Sequence, residues 1–170
     1  MNNIFKVWAV LLALVTFSAC ETYGDYETEY SVIYPLSGEW VVSVYAADNS
    51  VVKENVTCNT YNTSANDPDK MWVRMGTAAV AYGILGKVNC DVAAKVFEGG
   101  NVQNLVDSKD GETSGTSFTL TNGKIVLEGF ETPTGHKADK IEFTLVNSKY
   151  PGQVLTVAGF RKTGWAGEDY

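Results

Sequence analysis

The sequence predicts an all-β fold, an antiparallel up-and-down barrel of about eight short strands. Three observations carry that reading. From Gly38 onward apolar and polar residues alternate along short runs, the period of a strand with one buried face. Clusters of Gly, Asn, Asp and Pro interrupt the runs at hairpin spacing, and no stretch shows a sustained helical stripe. Such strands form either a sandwich or a barrel, and no connection of Greek-key length stands out, which favours the barrel. A hydrophobic fraction of 45% over 170 residues is enough for the core of one domain, and 16 Gly supply its turns.

The first element in order is an export signal. Residues 1–6 carry one positive charge, and residues 7–17 are an apolar run too short to span a roughly 30 Å hydrocarbon core as a helix. Ser18 and Ala19 then place small residues directly before Cys20. This resembles a bacterial lipobox of the relaxed Bacteroidetes kind, with Phe17 where a strict one has Leu. The resemblance implies a signal peptide over 1–19 and lipidation of Cys20; a plain secretory signal with an incidental cysteine is the competing reading. Residues 20–33 are polar and acidic and read as a flexible tether, followed by the barrel domain at 34–170. The expected location is the outer membrane, lipid-anchored, on its periplasmic or its cell-surface face. Formal charge is -7, and it becomes -8 once Lys6 leaves with the signal, which argues against nucleic acid as a partner.

Lipid on Cys20 leaves Cys58 and Cys90. Both stand on apparently inward faces, so they read as a disulfide formed after export or as two buried thiols. A single His and no paired-cysteine motif exclude a structural zinc site, and no cofactor is expected.

The first strand carries Trp40, Val42 and Val44 on one face. Residues 51–63 form the second strand, 64–69 a loop and 71–75 the third strand. Residues 76–86 are the least polar segment of the mature chain and read as a buried strand or loop, or as an apolar flap over a cavity mouth. Residues 87–97 alternate as one strand, with Val88, Cys90, Val92, Ala94 and Val96 inward, and 98–101 as a turn. A brief strand is expected at 102–106. Asn122-Gly123 predicts a type I′ hairpin between strands at 116–121 and 124–130, because that turn needs positive φ at both central residues. Residues 140–146 place Ile141, Phe143 and Leu145 on one face, and 153–163 is the last strand.

Gly38-Glu-Trp40 at the start of the first strand resembles the Gly-x-Trp signature of lipocalins and related calycins. In that group an Arg of the last strand packs over the Trp and closes the barrel, and Arg161 stands at the matching place. The stretches Tyr34-Pro-Leu-Ser-Gly-Glu-Trp40, Lys87-Val-Asn-Cys-Asp91 and Phe160-Arg-Lys-Thr-Gly-Trp165 are similar to the Bacteroidetes lipoproteins described as "lipid-binding putative hydrolase". The resemblance implies a lipocalin-like (calycin) barrel with an apolar interior.

A hydrolase needs a nucleophile, a base and an oxyanion hole. No Gly-x-Ser-x-Gly elbow is present, and the sole imidazole, His136, lies in a Pro/Gly loop three residues before Asp139. Strand alternation splits Glu128 from Glu131, against a glycosidase pair, and Asp67 with Asp69 reads as a turn rather than a calcium loop. The leading expectation is therefore binding of a small hydrophobic or lipid-like ligand, lined by Trp40, Val42, Phe118, Leu120, Ile141 and Phe143. The alternative is a filled barrel that serves as a scaffold for an envelope protein partner.

Overall fold

The computed structural model describes residues 29–108, 115–165 and 167–168. Its eight antiparallel strands close into a barrel in simple chain order. They are β1 (Gly38–Tyr45), β2 (Val51–Asn62), β3 (Lys70–Met75), β4 (Ile84–Asp91), β5 (Val96–Gln103), β6 (Ser117–Glu131), β7 (Lys137–Asn147) and β8 (Val154–Arg161). One 3-10 turn, Leu105–Asp107, follows β5 where the sequence led us to expect a strand. β8 returns to pair with β1 from Trp40 opposite Arg161 to Tyr45 opposite Thr156. Closure leaves no edge strand exposed to a neighbouring molecule.

Eight strands enclose a space just wide enough for side chains. Here they fill it: Trp40, Leu120 and Ile141 are fully buried, and Phe118 and Phe143 are 1% and 2% exposed. Side chains with so little accessible area have no water-sized void beside them. Gly86 shows how the fit is reached, since a Cβ there would lie 2.7 Å from Phe118 and from Val102. The missing side chain is the space the phenyl ring occupies.

Three strand boundaries differ from the sequence expectation. The alternating run at 87–97 is two strands: β4 ends at Asp91, and residues 92–95 turn through Lys95 at φ 58. Ala94 and Val96 are consequently exposed rather than inward. Residues 98–101 belong to β5. Asn122-Gly123 makes no hairpin, because β6 runs straight through it, with Asn122 at φ 55 and the β6–β7 register slipping between Thr121 and Lys124. A bulge and a tight turn both use a left-handed residue, so the same dipeptide serves either.

The far end of the barrel, where β1 finishes, is covered by the segment at 76–83, a loop rather than a strand. Buried Asn147 donates through Nδ2 to the carbonyls of Ala81 at 3.2 Å and Gly83 at 3.1 Å. Buried Asn104 donates to Gly83 O at 2.9 Å, and Lys149 Nζ to Ala78 O at 2.7 Å. Ala81 and Tyr82 pack onto the core beneath. Satisfied carbonyls and buried amides make this segment a fastened cover.

Candidate functional site: a plugged end and the cavity beside it

The near end, where β1 begins, is sealed by residues that the first and last strands bring together. The Trp40 ring is fully buried, and its Nε1 donates to Thr60 Oγ1 at 2.9 Å. Thr60 in turn donates to Leu36 O at 2.6 Å. Arg161 lies over the indole with Cζ 4.4 Å from the ring centroid, so the cation meets the electron-rich face. Its Nε donates to Asp139 Oδ2 at 2.9 Å, its Nη2 to Pro35 O at 2.6 Å and its Nη1 to Ser37 O. A planar fork of donors is what such a three-way contact requires. A Cβ on Gly38 would stand 2.3 Å from Nη1, which gives the Gly of Gly-Glu-Trp its physical reason. Ile33 and Leu36, both fully buried, complete the plug beneath the entering chain. The expected barrel-closing pair, Trp40 and Arg161, is thus in contact and opposed in register.

Beside this plug, at the same end, an open cavity of about 540 Å³ is lined by residues of β4, β5, β6 and β7. Val96 and Cys90 supply apolar surface over the buried ring of Phe97, while Asn89, Asn122, Lys124, Glu98 and Glu142 supply polar atoms. The registers on both sides of β6 slip here, between Phe97 and Gly99 and between Thr121 and Lys124. Bulges bend strands and re-aim side chains, and this one opens the wall. Glu142 accepts from Lys124 at 2.8 Å and Lys140 at 2.5 Å, and these two bonds hold its carboxyl below the usual range. Two cations thus share one carboxylate at the rim.

The cysteines are both free. Cys58 pairs in register with Met75, and Met75 with Ile84, whereas Cys90 lies six residues along β4 from Ile84. Six residues of strand rise correspond to roughly 20 Å, far beyond the ~7 Å limit between bridged Cα atoms. The disulfide alternative from sequence is therefore corrected to two separate thiols. Burial pushes the Cys58 thiol up to about 12, and burial followed by Asp69 and Asp91 also raises Cys90.

The other expected site residues fall as follows. Val42, Phe118, Leu120, Ile141 and Phe143 all point inward and share one core cluster with Trp40. They are packed against one another, and the open cavity is lined by Phe97 and Cys90 instead. His136 does not face Asp139, which is bonded to Arg161. Its Nδ1 lies 2.8 Å from Glu168 Oε1 and 2.9 Å from Thr134 Oγ1, and its ring stacks on Trp165 at 5.9 Å. Glu168 also accepts from Thr132 and Thr163, and the Thr163 bond leads in lowering its pKa. Covered by that loop yet close to the molecular surface, Glu168 pins the chain after β8 to the β6–β7 turn. Glu131 pairs with Lys137, and the Glu128 backbone N–H donates to Asp139 Oδ1, so the two glutamates form no pair. Asp67 accepts from Thr63 Oγ1 at 2.8 Å, which is a turn contact. Cys20 and the signal segment lie outside the described residues.

A closed up-and-down antiparallel barrel, plugged at one end by a Trp–Arg stack and opened beside the plug, is the class of protein these features define. The chain belongs to the family described as "lipid-binding putative hydrolase", whose model matches residues 25–166. No curated protein matches the chain. Membership of that family and a β-barrel fit a lipid-binding role.

Proposed function

We propose that the protein is an outer-membrane lipoprotein, anchored through Cys20, whose barrel takes a small lipid-like ligand in the cavity beside the plug. The observation that carries this is the 540 Å³ cavity with Phe97 and Cys90 in its lining. Its volume lies within the roughly 300–1,000 Å³ range of small-molecule sites. An acyl chain finds contact on Val96 and Cys90, above buried Phe97, and a polar head finds Lys124, Glu142, Asn89 and Asn122 at the rim. Because the barrel axis is filled, the ligand lies in the wall rather than along the axis.

Cys90 provides the test. It is half-buried at the cavity while Cys58 is fully buried, so with Cys20 capped by lipid N-ethylmaleimide is expected to modify one thiol per native chain and two after denaturation. Binding of the apolar fluorophore N-phenyl-1-naphthylamine should weaken about tenfold after that single alkylation, corresponding to the loss of about 1.4 kcal/mol. Unchanged probe affinity would move the ligand elsewhere. The filled interior favours one second reading, a scaffold lipoprotein acting through its surface, and absence of probe binding in the unmodified protein would select it. The anchor is tested separately: Cys20→Ser is expected to shift the protein from the membrane to the soluble fraction, and continued membrane association would count against lipidation.

A further inference from the structure

We infer that the plugged end of the barrel docks on the interfacial layer of the lipid bilayer, with Tyr30, Tyr34 and Trp165 as its contacts; this rests on the proposed lipid anchor at Cys20. The three rings are among the most exposed large hydrophobic side chains described, at 62%, 46% and 65%. Tyr30 and Tyr34 stack with centroids 4.2 Å apart, and Val32 between them is exposed as well. While these side chains face outward, Ile33 and Leu36 of the same segment are fully buried in the plug. The segment therefore presents aromatic rings from a rigid base.

Trp165 belongs to the same end. β8 finishes at Arg161, whose guanidinium bonds the carbonyls of Pro35 and Ser37. Four residues later Trp165 stacks on His136, which fixes its ring near the β6–β7 turn. Rings with an apolar body and one polar edge concentrate at the headgroup level of membranes, because each part meets its preferred medium there.

The length of chain outside the barrel selects the bilayer as occupant. Tyr30 is ten residues after Cys20, so a fully extended connection reaches at most about 35 Å. The plugged end is therefore held within one domain diameter of the membrane, and it is the end at which the chain enters. Three ion pairs lie at this end: Glu39 with Lys162 at 3.0 Å, Asp139 with Arg161 at 2.9 Å, and Glu131 with Lys137 at 2.6 Å. The cavity's lining includes Asp91 and Val96, which flank the β4–β5 turn at this same end, so docking would hold it near the lipid it is proposed to take.

The experiment uses the full lipidated chain in vesicles of phosphatidylcholine and phosphatidylethanolamine, with and without bromine on the acyl chains. Flotation reports the anchor, and tryptophan emission reports docking. In a Trp72→Phe background, which removes the half-buried indole of β3, the expected result is loss of emission in brominated vesicles that disappears with Trp165→Phe, since Trp40 is buried in the plug. Tyr30→Ser with Tyr34→Ser should restore the emission while flotation persists. A protein that floats with Trp165 equally bright in both vesicles overturns docking and leaves the anchor standing. One that fails to float overturns both. Quenching that survives the double serine change removes the tyrosines from the contact and overturns the surface as stated.

Discussion

Replacing Trp40 with alanine is expected to destabilise the barrel by about 3–5 kcal/mol, the range for deleting a buried aromatic ring. Equilibrium urea unfolding followed by far-UV circular dichroism measures it. The large value has two sources, and one retained bond moderates it. Burial of the indole is complete, so its removal leaves a cavity at the junction of β1, β2 and β8. Thr60 loses the donor from Nε1 but keeps its own bond to Leu36 O, which limits the polar part of the loss. Arg161 loses the ring face at 4.4 Å and is left over a void. The coupling is separable: Arg161→Lys keeps the charge but gives up the fork that reaches Pro35, Ser37 and Asp139 together. A double-mutant cycle between Trp40→Phe and Arg161→Lys should return a non-additive term of about 0.5–3 kcal/mol, as residues in contact do. Loss of less than one kcal/mol for Trp40→Ala would remove the ring from the barrel-closing role.

The plug was legible through the resemblance to lipocalins, which pairs Trp40 with Arg161, and a closed meander, which must bring its first strand against its last, accommodates it. Given that constraint, a Trp at the start of one and an Arg at the end of the other are opposed by register. Alternation located the inward faces of β1 and β7, since neither strand carries a bulged residue of its own. Breaks are what the pattern hides. Lys95 at φ 58 ends a strand inside a run whose apolar residues continue the alternation, so the turn left no gap to read. Asn122-Gly123 announces positive φ but not whether the chain reverses. β6 has partners on both sides of that point, and those neighbours keep it extended. The cavity forms at these slips, so it was invisible to a reading that treated 122–123 as a loop tip. Glu168 was missed because it is 32 residues from His136, and no spacing rule links a carboxylate in the tail to a loop imidazole.

Gly159→Ala is expected to cost about 3 kcal/mol, the upper part of the usual range for overpacking, although it adds a single methyl group. The position lies at the seam: Gly159 is opposed to Val42 of β1 on one side and Ile141 of β7 on the other. An added Cβ would stand 2.0 Å from Val41 O and 2.5 Å from Val42 Cα. Both are backbone atoms of a paired strand, so no side-chain rotation relieves the overlap. Relief requires β1 and β8 to separate, and the ladder from Trp40–Arg161 to Tyr45–Thr156 is what joins the barrel's ends. Amide hydrogen exchange should then quicken in β1 and β8 while β3 and β4 keep their protection relative to the new global stability. Gly100→Ala provides the control, because nothing stands within 4 Å of its added Cβ. Its effect should stay within about 0.5 kcal/mol, as for surface changes generally. Equal losses at the two positions would remove the close approach of β1 and β8 as the cause. A large loss confined to Gly159 would identify the close approach of β1 and β8 as the contact on which closure depends.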